Sequence, residues 1–405
     1  MPAVPSAPAT YDRRQVGWLS LAQLITWGSV FYTFALLMEP LERELGMTRA
    51  ESSLGFSLAL LAEGVLAYPI GRWIDRGHER AVMTIGSVAI AAGLLLHSVV
   101  TSAAGFYAAW GLLGCALAAT LYTPVFAVVT RRYPHDFRRA IITLTFLGGL
   151  ASTVFIPLSA WLISSLGWRH ALWVLAGLHL LACMPIHFIC LRDAPGPRAH
   201  AGAATSPAKH LASAPFLLIG VFVVLMMAVT AALPAHMVSL LRENGMAEAW
   251  VIAIPASIGV MQVFGRLLLF FFEHHFNLHL ANRLIPCLIP LGLGALLAGA
   301  GHPQAALLFV LLYGLGNGML TIVKGTAIAQ YVSRDHVASL NGALGLPTAL
   351  ARAVSPWLLG VLWTREVGYR NGLVVLLAGS VVAVVALLMA QRRALGEADE
   401  RAEIL

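Results

Sequence analysis

The pattern of apolar and polar positions divides the chain into twelve long apolar segments. Each has about 18 residues or more, close to the length that an α-helix needs to cross roughly 30 Å of hydrocarbon. The predicted helices cover residues 16–38, 51–71, 82–100, 105–130, 140–164, 170–191, 215–241, 249–272, 284–301, 304–332, 337–363 and 370–390. The pattern therefore predicts an all-α membrane protein with twelve transmembrane helices.

A polar segment and an internal similarity divide these helices six plus six. The segment "RDAPGPRAHAGAATSPAKHLASAP" is rich in Ala, Pro, Gly and Ser, which is typical of a flexible linker. "GWRHALWVL" at 167–175 and "GYRNGLVVL" at 368–376 open the sixth and twelfth segments. We predict two pseudo-symmetric six-helix bundles, 1–191 and 215–405, joined by a cytoplasmic linker at 192–214.

Composition supports this interpretation and excludes another. The chain is 59% hydrophobic and 11% charged, whereas soluble domains carry about 25% charged residues. Its formal charge of +7 comes from short basic loops between apolar segments, so we expect a lipid bilayer and no nucleic acid as partner. Because most loop Lys and Arg residues lie on the side of both termini, the predicted location is the inner membrane, multi-pass, with cytoplasmic termini. The start of the chain does not resemble a cleavable signal. We expect a monomer.

No pattern indicates enzymatic chemistry. The four cysteines lie in apolar segments without metal-ligand spacing, and we predict that they pack in the core. "GLGNG" at 314–318 is more typical of close helix contacts than of a phosphate loop. We predict no metal, no cofactor and no catalytic residues.

The loop "PIGRWIDRGHER" at 69–80 resembles the loop motif of the major facilitator superfamily. Gly71, Asp75, Arg76 and Arg80 match that motif, while His78 and Glu79 depart from it. The resemblance covers essentially the whole chain and implies twelve helices that work by alternating access. An Asp beside a helix end and nearby arginines can form charge-assisted hydrogen bonds that lock helix ends, which is the predicted gating role. The alternative is that these arginines only set topology.

A second resemblance narrows the group. "TRRYPHDFRRAIITLTFLGGLASTVFIPLSAWLISSLGWR" resembles the monocarboxylate-transporter-like group, with the bacterial oxalate:formate antiporters among the similar carriers. The Gly-rich Pro motif of proton-coupled drug exporters is absent from "GGLASTVFIP". The resemblance implies a carboxylate substrate and disfavours drug export.

Arg266, in "MQVFGRLLLFFFEHH", matches an arginine that pairs with the substrate carboxylate in such carriers. A planar guanidinium suits that task because it donates two parallel hydrogen bonds. Related carriers often have an Asp one turn earlier, where this chain has Gln262. The alternative for Arg266 is a helix-end arginine whose side chain reaches water.

Two further cations lie inside apolar segments. Arg352, between Pro347 and Pro356, corresponds to a lysine of oxalate-type carriers, or else pairs structurally with another helix. Lys324 lies in "NGMLTIVKGTAIAQYV", where an ammonium costs about 2.5 to 3.5 kcal/mol on insertion scales. Together with Arg266 these residues predict an anion-binding cavity near the midplane.

The remaining candidates are weaker. Glu63 is the one acidic residue within an N-terminal apolar segment, and proton coupling and a structural ion pair are equally compatible with it. Tyr122, which the internal repeat aligns with Lys324, and Asn317 are predicted to line the cavity; simple packing is the alternative for both.

These observations predict a secondary active transporter that moves a monocarboxylate or short dicarboxylate, with proton symport as an added expectation. One alternative is a major facilitator efflux pump for drugs or amphiphilic metabolites. An alternative of another class is a membrane sensor that transports nothing; the absence of a soluble sensor domain disfavours it.

Overall fold

In a computed structural model of the protein, the structure describes residues 11–193, 208–272, 278–333 and 337–403, and these residues are helical apart from short connections. The helices up to the predicted linker are α1 (Arg13–Thr26), α2 (Phe34–Leu45), α3 (Arg49–Trp73), α4 (Glu79–Ser98), α5 (Ala103–Thr120), α6 (Tyr122–Arg132), α7 (Phe137–Gly149), α8 (Ala151–Leu166), α9 (Trp168–Leu178) and α10 (Met184–Cys190). The later helices are α11 (Ala208–Leu211), α12 (Ala214–Glu243), α13 (Glu248–Phe272), α14 (Leu278–Leu284), α15 (Leu288–Ala298), α16 (Pro303–Tyr331), α17 (Val337–Ala343), α18 (Gly345–Val361) and α19 (Arg370–Glu403).

The described residues contain 11 helical runs that are long and apolar enough to cross a membrane. One run, Arg49–Ser98, has 50 residues and would measure about 75 Å if straight, which is more than twice the hydrocarbon thickness. Its continuity is broken at Gly77, where φ is 91°. Only glycine adopts this conformation readily, so the run consists of two helices that meet at a kink there. The predicted second and third helices are thus both present.

By their contacts, the residues form two compact units. Unit 1 comprises Met1–Thr33 and Ala62–Ala201, and unit 2 comprises Phe34–Leu61 and Gly202–Leu405. This grouping differs from the sequence-based division because Phe34–Leu61 packs with the C-terminal part. Most of the predicted linker lies outside the described residues, so the six-plus-six division remains a prediction.

Unit 1 contains two π-helical segments inside membrane helices, Trp27–Tyr32 and His179–Cys183. The Ser29 hydroxyl of the first segment lies 2.7 Å from Nε2 of the buried His179 in the second. Such widened turns occur frequently at functional sites. The two irregular segments therefore support each other through a buried polar contact.

In unit 2, α13 and α16 pack almost backbone to backbone. A Cβ atom on Gly265 would lie 2.7 Å from the carbonyl oxygen of Leu315, and one on Gly318 would lie 2.7 Å from Cα of Gln262. Neither position has room for a side chain. The prediction that "GLGNG" makes close helix contacts is confirmed, because small residues let two membrane helices approach each other.

The prediction for the cysteines is confirmed at Cys183, which is buried, and wrong at Cys115, which is exposed on α5. An apolar segment of a membrane helix has both a core face and a lipid face. Apolar sequence surroundings alone therefore do not place a thiol in the core.

Candidate functional site

Lys324 lies within α16 and is half-buried. Its ammonium donates to the thioether sulfur of Met227 on α12 at 3.1 Å. A thioether is a weak acceptor, and an ammonium has three donors. Within the described part of the chain no carboxylate pairs with Lys324. The ammonium thus retains hydrogen-bonding capacity for an anion.

Arg352 lies on α18 close enough to Lys324 for the two charges to act on each other. One turn later on α18, Pro356 has no N–H to donate to the Arg352 carbonyl. The Ser355 hydroxyl donates to that carbonyl at 3.4 Å instead. A neighbouring hydroxyl thus re-satisfies the backbone carbonyl that Pro356 leaves without a donor. Two cations on α16 and α18 together create a field that attracts an anion.

Arg266 and Asn317 belong to unit 2 and lie next to the glycines at which α13 and α16 are in close contact. Arg266 follows Gly265, Asn317 precedes Gly318, and both side chains are half-buried. Arg266 therefore lies on a helix that is rigidly held against the helix of Lys324.

Four glutamates in the described part of unit 2 form ion pairs with arginines: Glu39, Glu42, Glu243 and Glu248. Two of these glutamates belong to a group of six residues that we call the Arg49 cluster: Glu42, Arg49, His236, Glu243, Trp363 and Tyr369. Arg49 is buried, and its guanidinium bonds to Glu42 at 2.7 Å and to Glu243 at 3.0 Å. It also lies 4.8 Å from the ring centre of Trp363, whose indole N–H donates to Glu243 at 2.8 Å.

A hydrogen-bonded chain continues from Arg49 to the core of unit 2. The guanidinium donates to the hydroxyl oxygen of Tyr369, and that hydroxyl lies 3.0 Å from Nδ1 of His236. Nε2 of His236 lies 2.8 Å from the carbonyl oxygen of Pro356, which can only accept. Nε2 of His236 therefore carries a proton, and in the neutral ring Tyr369 donates to Nδ1. Burial raises the pKa of the Tyr369 phenol although the Arg49 guanidinium opposes this, so the phenol stays protonated.

Sequence reasoning missed this cluster. There the loop arginines indicate only topology. The available signal was the mixture of Glu and Arg in "MEPLERELGMTRAE" and "RENGMAEAW", since paired opposite charges at helix ends indicate contacts between helices.

Tyr122 lies in unit 1, directly after a break between α5 and α6. Pro124 cannot donate to the Thr120 carbonyl, and the Gln23 amide donates to it instead at 2.5 Å. The Tyr122 ring packs 5.1 Å from Trp27, and its hydroxyl covers Gly148. Tyr122 is half-buried within this aromatic group, which is compatible with simple packing. Its role as a lining residue of the cavity stays a prediction.

Glu63 lies on α3 in unit 1 and is 8% exposed. This burial agrees with the sequence-based placement within a membrane helix. Proton coupling and a structural role for this carboxyl both remain predictions.

In the loop at 69–80, Glu79 is the acidic residue that forms ion pairs. This residue is fully buried and bonds to Arg132 at 2.5 Å and to Arg131 at 3.3 Å. Arg80 donates to the Phe188 carbonyl at 2.8 Å. Asp75 and Arg76 are exposed, Gly71 is half-exposed, and neither charged group forms an ion pair within the described ranges. The gating role of Gly71, Asp75, Arg76 and Arg80 remains a prediction.

Sequence comparison gives the family. The family model described as Major Facilitator Superfamily matches residues 19–278, which is more than half of the chain. Monocarboxylate transporter 13 of Bos taurus is 37% identical over 120 residues, and so is the protein of that name from Rattus norvegicus. Each match covers 28% of this chain and 28% of the relative, so the similarity spans about a quarter of either protein.

The fold agrees with this assignment. The crystal structure of a mutant of the nucleoside transporter NupG superposes with a TM-score of 0.73 at 16% identity, covering 93% of this chain and 99% of the other. A bacterial homologue of the human lysosomal transporter Spinster, in an inward-facing, unoccupied conformation, superposes with a TM-score of 0.70 at 15% identity, covering 95% and 99%. The 11 apolar helical runs of the described residues and the kink at Gly77 agree with these matches. The chain belongs to the Major Facilitator Superfamily and is a multi-pass membrane transporter.

Proposed function

We propose that this transporter moves a small organic anion, a monocarboxylate or a short dicarboxylate, by alternating access. The observation that carries the proposal is the pair Lys324 and Arg352. The Lys324 ammonium has a thioether as its hydrogen-bond acceptor, and a second cation, Arg352, lies within electrostatic range of it. An anion bound there gains charge-assisted hydrogen bonds and relieves the repulsion between the two cations.

Arg266 supplies the third positive charge from α13, and Asn317 supplies an amide from α16. Tyr122 in unit 1 stays a predicted lining residue. The ion-paired glutamates of unit 2 are engaged elsewhere, since Glu42 and Glu243 pair with Arg49. The similarity to monocarboxylate transporter 13 over 28% of the chain supports the same substrate class, and the oxalate-type carriers remain part of this proposal.

Glu63 is the proposed proton carrier, which makes the transporter a symporter. We further propose a monomer in the inner membrane with both termini in the cytoplasm. These assignments follow from the buried carboxyl and from the distribution of basic residues between loops.

The test is uptake into proteoliposomes of labelled acetate, lactate, pyruvate, oxalate and succinate, with uridine and a cationic dye as comparison substrates. The proposal expects counterflow of at least one carboxylate and a loss of that counterflow in Arg352→Gln and Lys324→Gln. Transport of the dye or of uridine without any carboxylate contradicts the proposal. A sensor exchanges none of these compounds.

A further inference from the structure

A groove of about 580 Å³ lies on unit 1, between α3, α4 and α5. Its walls are apolar along most of its length, with Leu66 and Trp73 from α3, Ile85 and Ala89 from α4, and Cys115 from α5. The charged or titratable side chains among its lining residues are Arg76 and His78, apart from the Cys115 thiol. These two residues belong to the loop that joins α3 to α4, so the polar groups lie at one end.

The apolar part of the groove opens to the membrane. Ile85 is 66% exposed and Trp73 is 52% exposed, although both belong to the same long membrane-crossing run. The same side of the chain exposes Val88 and Leu95 on α4. Apolar side chains exposed on a spanning helix contact hydrocarbon, and Trp is enriched at the level of the lipid headgroups.

The charge at the end of the groove is positive and available. Arg76 is exposed and forms no ion pair with any residue that the structure describes. Its neighbours are engaged, because Arg80 donates to the Phe188 carbonyl and Glu79 is held by Arg131 and Arg132. The opposing charge is Asp75, which is exposed beside Arg76.

We propose that this groove binds an anionic glycerophospholipid. One acyl chain lies along Leu66, Ile85, Ala89 and Cys115, and the phosphate receives the Arg76 guanidinium. A guanidinium matches a phosphate through two parallel hydrogen bonds, and basic pockets between membrane helices bind anionic headgroups. A small carboxylate does not suit the groove, since the apolar walls offer it no hydrogen-bond partners along their length.

The occupant is identified by charge complementarity and by the membrane itself. An amphiphile with an anionic head satisfies both the apolar walls and the free guanidinium, whereas a zwitterionic lipid brings its own cation to Arg76. The site is independent of the anion site in unit 2, and its success or failure does not bear on the proposed substrate.

The test is native mass spectrometry of the full-length protein, purified with palmitoyl-oleoyl phosphatidylglycerol or with the matching phosphatidylcholine. The proposal expects retention of phosphatidylglycerol, and loss of about tenfold in affinity in Arg76→Gln, since about 1.4 kcal/mol corresponds to tenfold. Ala89→Phe fills the groove and is expected to release the lipid. Val88→Phe, on the same helix but outside the lining, and Arg392→Gln, an exposed arginine elsewhere, keep it.

A second readout covers the case in which Ala89→Phe fails to fold. With Cys183, Cys190 and Cys287 replaced, Cys115 reports on the groove because its thiol is exposed there. Phosphatidylglycerol should slow alkylation of Cys115 by N-ethylmaleimide in the parent, with no slowing in Arg76→Gln. Equal retention of the two lipids, or equal protection in parent and Arg76→Gln, overturns the proposal.

Discussion

The hydroxyl of Tyr369 lies 3.0 Å from Nδ1 of His236 and donates its proton to that nitrogen. This bond is the middle of a chain that runs from Arg49 through Tyr369 and His236 to the carbonyl of Pro356. Since Pro356 lies one turn after Arg352, the chain connects the Arg49 cluster to the helix that carries a proposed substrate cation. The chain thus contacts the backbone of α18 one turn from Arg352.

Tyr369→Phe should destabilise the protein by about 1 to 3 kcal/mol. The substitution leaves the buried Nδ1 of His236 without a donor and removes one acceptor from the buried Arg49, and an unsatisfied buried polar group has a cost of this order. Equilibrium unfolding in mixed micelles measures the change. Tyr68→Phe is the control because Tyr68 is 73% exposed. Equal stability of both variants and the parent would show that the hydrogen-bonded chain contributes nothing.

The same tyrosine predicts a response to alkaline pH. Burial raises the pKa of Tyr369 in the folded protein above the value of about 10 for an exposed phenol. The unfolded chain therefore loses this proton first as pH rises. The contribution of Tyr369 to stability is full below about pH 10 and falls between that pH and the folded-state pKa. Unfolding measured across this range should show a decline in the parent that is smaller in Tyr369→Phe; parallel declines contradict the assignment.

Glu79→Gln should be far more damaging than Asp75→Asn. Glu79 is fully buried between Arg131 and Arg132, and removing one partner of a buried ion pair costs about 3 to 5 kcal/mol. Asp75 is exposed and forms no ion pair within the described residues, so Asp75→Asn should leave stability unchanged. Unfolding of the two purified variants decides this. If Asp75→Asn is folded and stable yet slows transport, the predicted gating role is supported.

The orientation predicts the labelling of single cysteines. Ala247 and Lys209 are exposed residues that flank α12, a helix of 30 residues and about 45 Å. In a cysteine-free background, an impermeant maleimide applied to intact cells should label Ala247→Cys and miss Lys209→Cys. Permeabilised cells provide the control, since both positions should then react. Labelling of Lys209→Cys in intact cells reverses the orientation.

Some features of the structure could be predicted from the sequence and others could not. Helix positions follow from hydropathy because lipid admits few backbone structures other than helices, and the close packing at Gly318 follows from its small neighbours. The burial of Glu63 also agrees with its position in an apolar segment. By contrast, Tyr369 and His236 are separated by 133 residues, and their contact depends on packing that no local pattern encodes.

The loop at 69–80 shows the same limit. The motif predicts a role for Asp75, whereas the buried, ion-paired carboxylate of this loop is Glu79. At Glu79 this chain departs from the motif. Cations that pair with a carboxylate offset the cost of burying it, and here Arg131 and Arg132 of α6 pair with Glu79. A motif within one segment does not predict which residues of another segment will pair with it.

The measurement that tests the central proposal most directly is calorimetric binding of a transported carboxylate to purified Arg266→Lys and Arg352→Lys. Lysine keeps the charge but loses the planar pair of donors, so affinity should fall by about 1.5 to 3 kcal/mol in each variant. Lys324→Gln should weaken binding through loss of the ammonium, and Arg365→Lys, at an exposed position, is the matched control with unchanged affinity. Thermal unfolding confirms that each variant is folded. If both arginine variants are folded and bind the carboxylate as tightly as the parent, the anion site is not built from these residues and the proposed function is contradicted.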